Sequence, residues 1–281
     1  MKLQFTKMHG CGNDYIYINC FEQSVEDPAA LAVSLSRPPF GIGSDGVILI
    51  CPSEAADAKM RMFNADGSEG RMCGNGIRCV GKYLYDNGMV DGRTEITIET
   101  LSGVKRLHLT AGDGKMQSAR VDMGKAMLSP AEIPAYMDGT SIVAAPLVVD
   151  EKVYHITCVS MGNPHCVVFL KEDVDLLDLK RIGPKFENNP LFPERVNTEF
   201  VNLLPDGVFK MRVWERGSGE TLACGTGACA VGVAAVLNGY CEKDSDITVR
   251  LRGGELTVRY TDGTVWMTGA ATTVFEGTID L

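Results

Sequence analysis

The chain has 281 residues, about twice the length of an ordinary domain, which predicts two domains. Its 27 Lys and Arg against 36 Asp and Glu give a net charge of −9, which argues against binding to nucleic acid or an anionic membrane and favours a small-molecule partner. Hydrophobic residues make up 45% and charged residues 22% of the chain, a balance typical of globular proteins and not of disordered ones.

The first half of the chain predicts one helix followed by strands. Residues 77–84 are apolar at i, i+3 and i+7, and the helix they indicate ends at Asn87-Gly88, a frequent C-terminal cap. Apolar residues then alternate over 96–98 and 107–109, which indicates strands with one buried face. The stretch from Met123 to Tyr136 contains two prolines and is predicted to join the two halves.

The second half repeats this order of elements. Its helix over 228–235 is small and apolar on every side, which predicts that it is buried all round, and it ends at Asn238-Gly239. Strands with alternating apolar residues follow at 247–251 and 256–260. We expect an α+β fold in which each half is a mostly antiparallel, curled sheet around one central helix.

The two halves are related in sequence. A shift of 151 positions aligns Asn64–Gly103 with Glu215–Gly254 without a gap, and 11 of the 40 positions are identical, where average amino-acid usage would give about two or three. At a shift of 150, Gly12-Asn13 aligns with Gly162-Asn163. A tandem duplication that produces two pseudo-symmetric domains is therefore predicted.

The N-terminus and the cysteines favour a reducing compartment. No segment near the N-terminus matches a secretory signal, and the longest apolar run, 228–237, is shorter than the roughly 18 residues that cross a bilayer, so we expect a cytoplasmic protein. The ten cysteines are then reduced thiols. Spacings such as Cys73/Cys79 and Cys224/Cys229 match no zinc motif, and no phosphate-binding or dinucleotide fingerprint is present, so neither a metal nor a cofactor is predicted.

The duplication is strictest in two Cys-Gly-x-Gly turns, at Met72–Gly76 and Ala223–Gly227. In each, a cysteine begins a helix, where free N–H groups and the helix dipole favour an anion and lower the pKa of a thiol. We predict that Cys73 and Cys224 are the thiols most available as thiolates, and that they flank one ligand as base and acid, an arrangement that inverts a carbon centre. A single Cys-Gly turn would more often hold a small buried residue, and the second copy is what favours catalysis.

Eight motifs along the chain resemble those of the diaminopimelate epimerase family, PLP-independent enzymes of lysine and peptidoglycan-precursor biosynthesis. The motifs are His9–Tyr15, Gly41–Gly46, Phe63–Glu69, Met72–Gly76, Gly162–His165, Val196–Phe200, Trp214–Thr221 and Ala223–Gly227. The resemblance implies that Cys73 and Cys224 epimerise LL-diaminopimelate to meso-diaminopimelate, one thiolate removing the α-proton and the opposite thiol returning one. It also implies a homodimer, no cofactor or metal, and two domains, 1–121 with 270–281 and 122–269.

The same resemblance implies roles for other residues. Positions that hold polar groups of the substrate are matched by Asn13, Asn64, Asn163 and Asn197. Glu215 and Arg216 match the pair that binds the far end of the substrate. Gly74-Asn75 and Gly225-Thr226 match the backbone that binds the carboxylate at the reacting carbon. Residues that tune the two thiols are matched by His165 and Glu215. This chain has Gly46 after Asp45, where some members have a glutamine that contacts the ligand.

The residues alone leave other interpretations open. An Asn beside Gly is often a turn residue, His165 lies in an apolar, strand-like run, and Glu215-Arg216 could be a surface ion pair. A racemase or epimerase of proline, hydroxyproline or histidine would use the same two cysteines. A Cys/His acyl-transfer hydrolase would use His165 as base and leave one cysteine idle, and a ligand-binding protein would need neither thiol activated.

Overall fold

The computed structural model describes residues 2–280, and the chain divides into two compact units. The first unit comprises Met1–Asp122 with Thr268–Leu281, and the second comprises Met123–Met267. No helix within the described range is long and apolar enough to pass through a lipid bilayer.

The helices and strands alternate along the whole chain. Up to Asp122 they are, in order, β1 (Lys2–Gly10), β2 (Asn13–Asn19), α1 (Pro28–Ser36), β3 (Gly46–Cys51), β4 (Ala58–Asn64), β5 (Glu69–Gly70), α2 (Gly74–Asp86), β6 (Glu95–Thr100), β7 (Gly103–Gly112) and β8 (Lys115–Asp122). From there they are β9 (Ala145–Val149), β10 (Lys152–Ser160), β11 (Pro164–Phe169), α3 (Leu179–Glu187), β12 (Asn197–Leu203), β13 (Phe209–Glu215), β14 (Gly219–Thr221), α4 (Gly225–Leu237), β15 (Ile247–Leu251), β16 (Gly254–Tyr260), β17 (Val265–Ala270) and β18 (Thr272–Asp280). A 3₁₀ turn, Val174–Leu176, precedes α3.

Strand pairing is mostly antiparallel and follows the same scheme in both units. In the first unit β2 pairs with β3 and β4 with β6 in parallel, while β3–β4, β6–β7 and β7–β8 are antiparallel. In the second unit β11–β12 and β13–β15 are parallel, and β12–β13 and β15–β16 are antiparallel. Strand β18 pairs antiparallel with β1, from Lys2 opposite Asp280 to His9 opposite Thr272. The predicted α+β class with a mostly antiparallel sheet is confirmed.

Both predicted central helices are present and buried. Helix α2 packs against β8, β1 and β2 and buries Gly74–Gly81 together with Leu84. Helix α4 packs against β16, β10, β11 and β12 and buries every residue from Gly227 to Ala235, which confirms a helix surrounded on all sides. The packing requires glycine at position 232, because a Cβ there would lie 2.5 Å from Val258 Cγ1.

The prediction of one helix in each half is wrong, because each unit contains a second helix. Helix α1 begins after Asp27, whose Oδ1 accepts from Ala30 N at 3.0 Å, and α3 begins after Asp178, whose Oδ1 accepts from Arg181 N at 3.2 Å. The two start at positions 28 and 179, which are 151 residues apart and so repeat the shift between the halves. Each has only nine residues, and Pro184 inside α3 removes a backbone donor, so neither shows a sustained helical pattern.

Candidate active site

The first cysteine site is built around Cys73, the residue before α2. The N–H of Gly76 donates to Cys73 Sγ at 3.3 Å, and the thiol donates to Asn13 Oδ1 at 3.2 Å. The same Oδ1 accepts from Asn75 Nδ2 at 3.4 Å, while Asn13 Nδ2 donates to Asp45 Oδ2 at 2.6 Å. Two predicted substrate residues, Asn13 and Asn75, thus belong to the hydrogen-bond network of this thiol. The name Cys73 site is used below for Asn13, Tyr15, Cys73, Asn75 and Arg78.

A buried arginine supports the first turn of α2. Arg78 has 0% of its surface exposed, and it donates from Nη1 to Gly74 O at 3.0 Å and from Nη2 to Asn75 Oδ1 at 3.1 Å. Its Nε donates to Ala270 O at 3.2 Å. Arg78 is not among the residues predicted from the sequence, because a lone arginine in an amphipathic helix normally faces water. The available signal was its place beside the apolar residues Ile77 and Cys79.

Opposing effects set the proton affinity of Cys73. Burial raises the pKa of the Cys73 thiol, while the N–H groups of Gly76 and Asn75, the charge of Arg78 and the hydroxyl of Tyr15 lower it. Burial, together with the neighbouring Cys73, also raises the pKa of Tyr15 well above its ordinary value. Tyr15 therefore keeps its proton and acts as a hydrogen-bond donor at this site.

The second cysteine site repeats the turn with different neighbours. Cys224 precedes α4, Gly227 N–H donates to its Sγ at 3.4 Å, and Thr226 Oγ1 lies 3.5 Å from the sulfur. Glu215, at the end of β13, lies near enough to the thiol for its charge to affect the pKa of Cys224, and it accepts from the hydroxyl of Thr221. Burial raises the pKa of Glu215. Burial also raises the pKa of Cys224, and the negative charges of two carboxylates raise it further.

A series of polar side chains, of which His165 and Glu199 are fully buried, leads to this second thiol. His165 Nδ1 lies 2.7 Å from Glu199 Oε1, and Nε2 lies 3.1 Å from Asn163 Oδ1. Asn163 Nδ2 donates in turn to Thr226 Oγ1 at 3.3 Å. Glu199 is not among the residues predicted from the sequence, and the available signal was a charged residue inside the strand β12. The name Cys224 site is used below for Asn163, His165, Glu199, Glu215, Cys224 and Thr226.

Burial opposes the predicted availability of Cys73 and Cys224 as thiolates. In both sites N–H groups at the helix start lower the pKa of the thiol, but burial outweighs them and both pKa values are raised. The pKa of Cys224 is raised further than that of Cys73, because Glu215 and Glu199 lie near Cys224 whereas the cation Arg78 lies near Cys73. The fold therefore gives the two thiols unequal proton affinities.

The two residues predicted to read the far end of the substrate have different surroundings. Arg216 Nη1 donates to Glu194 O at 2.9 Å, and Arg216 N donates to Asn197 Oδ1 at 2.9 Å. Asn197 Nδ2 is bound to Pro164 O at 2.9 Å, which fixes the amide. Since the carboxylate of Glu215 lies near the Cys224 thiol, only Arg216 of this pair is directed elsewhere.

The remaining predicted residues lie in turns and tight strand contacts. Asn64 Nδ2 donates to Ser68 Oγ at 2.9 Å in the turn after β4. Gly74 and Gly225 are buried at the first positions of α2 and α4. A Cβ at Gly46 would lie 2.0 Å from Phe63 O, so this backbone has no room for a glutamine there.

Three side chains of the Cys224 site form a group with the chemistry of metal ligands. Ligand atoms of His165, Glu199 and Cys224 all lie within 4.8 Å of one another, close enough for a single metal ion. Motif spacing could not reveal this group, because its members come from β11, β12 and the start of α4. His165 and Glu199 are hydrogen-bonded to each other at 2.7 Å, so a metal ion would have to replace that bond.

Comparison with known proteins decides the family. The family model of diaminopimelate epimerase matches residues 5–129 and 157–274, which include both cysteine sites. The chain belongs to the diaminopimelate epimerase family. It is 56% identical over 281 residues to the diaminopimelate epimerase of Acetivibrio thermocellus, with 99% of each chain covered. It is 52% identical over 281 residues to that of Methanococcus maripaludis, with 99% of this chain and 100% of the other covered.

Solved structures share the fold of this family member at low sequence identity. A probable proline racemase from Agrobacterium radiobacter K84 matches with a TM-score of 0.72 and 17% identity over 99% of this chain and 93% of the other. A PhzF-family phenazine biosynthesis protein from Bacillus anthracis matches with a TM-score of 0.70 and 18% identity over 100% of both chains. At these identities the likeness concerns the fold alone.

Proposed function

We propose that this member of the family epimerises LL-diaminopimelate to meso-diaminopimelate without PLP, with Cys73 and Cys224 as the two acid/base groups. The observation that carries the proposal is the duplicated turn, in which each sulfur accepts from the N–H three residues ahead, at 3.3 and 3.4 Å. A one-base reaction has no use for a second thiol at the equivalent position of the repeat. The family match supports diaminopimelate as the substrate.

The reaction takes one proton from the α-carbon and returns another to its opposite face. One cysteine enters as a thiolate, removes the α-proton and becomes a thiol, while the other enters as a thiol and protonates the carbanion. The N–H groups of Gly74-Asn75 and Gly225-Thr226, at the two helix starts, stabilise the carboxylate and the charge that develops beside it. Each turnover therefore exchanges the roles of the two cysteines.

Charge favours Cys73 as the thiolate and Cys224 as the thiol. Arg78 lowers the pKa of Cys73, whereas Glu215 and Glu199 raise the pKa of Cys224. Asn13 Oδ1, which accepts from the neutral Cys73 thiol, would be released for the substrate once that proton has left. On this basis we assign Cys73 as the base when the reaction begins, acting on the isomer whose α-hydrogen faces Cys73.

Substrate selection rests on Arg216 in this proposal. Helix N-termini attract the α-carboxylate of every amino acid equally, so discrimination requires groups that pair with the distal charges of diaminopimelate. Arg216→Met is expected to reduce kcat/KM for diaminopimelate about 100-fold or more, because a charged group of the substrate would be left unpaired. The exposed Arg106, on β7, provides a matched control, and Arg106→Met should leave kcat/KM unchanged.

Stereochemical assays test the substrate and the class of reaction. The wild-type protein should interconvert the LL and meso isomers and should leave proline, alanine and lysine unchanged. Activity should survive dialysis against a chelator, and no Schiff-base absorbance should accompany the purified protein. If proline or histidine were racemised faster than diaminopimelate is epimerised, the substrate assignment would be wrong and the same-fold racemase would replace it.

We also propose a homodimer in the cytoplasm, as the family resemblance implies. All ten cysteines, which lie within residues 2–280, are free thiols, and two working thiols need a reducing compartment. Light scattering should give twice the 30.4 kDa mass of one chain. A mass equal to that of the single chain would contradict the dimer.

A further inference from the structure

We propose that Glu199 is a positioning residue of the epimerase: it holds His165 in place and, through His165, orients Asn163 and Thr226 around Cys224. The proposal rests on the proposed function for its kinetic consequence. The residues involved all lie within the second unit. Glu199 acts on Cys224 in two ways: its charge raises the pKa of the thiol through space, and its hydrogen bond to His165 positions the side chains that lead to the sulfur. The proposal concerns the second effect.

The contacts form an unbroken series from Glu199 to the sulfur. Glu199 Oε1 lies 2.7 Å from His165 Nδ1, and His165 Nε2 lies 3.1 Å from Asn163 Oδ1. Asn163 Nδ2 donates to Thr226 Oγ1 at 3.3 Å, and Thr226 Oγ1 lies 3.5 Å from Cys224 Sγ. A rotation of the His165 ring would therefore disturb each later contact in the series.

Hydrogen bonds hold the His165 ring on both sides. Nδ1 lies 2.7 Å from Glu199 Oε1, and Nε2 lies 3.1 Å from Asn163 Oδ1, while the NH₂ group of Asn163 is directed toward Thr226. Two contacts on opposite sides of the ring fix its orientation, and loss of the Glu199 contact leaves the ring held on one side only. Glu199 thus keeps His165 in the orientation that positions Asn163.

The carboxylate of Glu199 is buried and closely packed. Glu199 and His165 both have 0% of their surface exposed. A Cβ at position 227 would lie 2.6 Å from Glu199 Oε1, so glycine is needed there for the carboxylate to fit. Glu199 Oε2 is buried and has no hydrogen-bond partner among the described residues. A buried acceptor without a partner is destabilising, which argues against a purely structural role.

The first unit shows that the fold does not require a carboxylate at this position. At the shift of 151, Glu199 corresponds to Ile48, and Gly227 corresponds to Gly76. A Cβ at Gly76 would lie 2.6 Å from Ile48 Cδ1, so the two side chains occupy equivalent places against equivalent glycines. At the shift of 150, His165 corresponds to the neutral Tyr15. The pair of Glu199 and His165 is therefore an addition to the repeated fold at the Cys224 site.

Variants at Glu199 and His165 test the coupling. Glu199→Gln, which keeps the shape and removes the charge, should lower kcat for diaminopimelate about 10- to 1,000-fold with KM changed less than about threefold. In a His165→Gln background the same substitution should change kcat by less than about threefold, because the series of contacts to Cys224 is already broken and only the direct effect of the Glu199 charge remains. Ile48→Val in the first unit is the matched packing control and should leave kcat unchanged. Independent, multiplicative losses in the double variant, or an unchanged kcat in Glu199→Gln, would overturn the proposal.

A spectroscopic measurement separates this proposal from the proposed function. The chain has four histidines, so ¹⁵N spectra can follow each ring in the folded protein. We expect the ¹⁵N signals of the His165 ring to shift in Glu199→Gln and those of the other three histidines to stay in place, whichever amino acid is the substrate. Unchanged His165 signals in Glu199→Gln would overturn the proposal even if epimerisation were confirmed. A thermal unfolding scan shows whether each variant folds. If Glu199→Gln does not fold, Glu199→Ile replaces it in the same measurements, because the first unit has isoleucine, Ile48, at the equivalent position.

Discussion

The Cys73 site and the Cys224 site share one backbone arrangement and differ in charge. In both, a cysteine precedes a helix, its sulfur accepts from the N–H three residues ahead, and a glycine follows it. The charged neighbour that affects Cys73 is the cation Arg78, whereas Cys224 is affected by the carboxylates of Glu215 and Glu199. The duplication has kept the turn that attracts an anion and has changed the side chains that set the proton affinity of each thiol.

This difference suits a reaction that needs an acid and a base together. Two thiols in identical surroundings would share a single negative charge equally, so neither sulfur would be set as the base or as the acid. Arg78 near one sulfur and carboxylates near the other separate the two ionisations. The experiments below test this asymmetry.

The largest effect is expected from removing either thiol. Cys73→Ala and Cys224→Ala should each reduce epimerisation about 1,000-fold or more, because each direction of the reaction needs both a base and an acid. Chiral chromatography of the two isomers measures the loss. Cys241→Ala, at a half-buried position outside both sites, should retain full activity. Near-normal interconversion by either active-site variant would exclude the two-base mechanism.

Removal of Arg78 tests the support under the Cys73 site. Arg78→Met should lower the free energy of unfolding by about 3 kcal/mol, since Gly74 O, Ala270 O and Asn75 Oδ1 would lose a buried donor. Urea unfolding measures the change, and the exposed Arg106→Met should stay within about 0.5 kcal/mol of the wild type. A loss below about 1 kcal/mol for Arg78→Met would show that these contacts contribute little.

The order in which the thiols ionise can be measured by alkylation. As the pH rises, Cys73 should react before Cys224, whose pKa is raised further. Glu215→Gln removes a negative charge near Cys224, which lowers the pKa of that thiol, so its labelling should move to lower pH while that of Cys73 stays in place. Mass spectrometry of the two peptides gives both profiles. Coincident profiles in the wild type would contradict the proposed asymmetry.

The smallest effect on activity is expected at Cys51, outside both sites. The thiol of Cys20, which donates to Cys51, and the charges of Arg61 and Lys59 lower the pKa of Cys51 to about 7. At neutral pH Cys51 should therefore be alkylated before Cys73, Cys224 and Cys241, whose pKa values burial raises. Cys51→Ser should leave epimerisation unchanged. Fastest labelling at Cys224 would contradict the effect assigned to burial.

The sequence predicted those parts of the molecule that repeat or show a clear period. Helices α2 and α4 and the strands after them carry sustained apolar patterns, and the two cysteines lie in the most similar segments of the repeat. Helices α1 and α3 were missed because they are short and α3 contains Pro184. Arg78 and Glu199 were missed for a different reason. Each is a single charged residue whose importance depends on burial, and burial depends on neighbours that come from distant parts of the chain.

The direct test of the two-base reaction is the fate of the α-hydrogen in D₂O during the first turnovers of LL-diaminopimelate. Each thiol exchanges its proton with solvent, so the acid that protonates the carbanion carries deuterium, while the original hydrogen leaves on the other sulfur. We expect the meso product to contain deuterium at the inverted carbon and the remaining LL substrate to contain almost none. Meso product that keeps the original hydrogen, or LL substrate that gains deuterium as fast as product forms, would show that one group both removes and returns the proton.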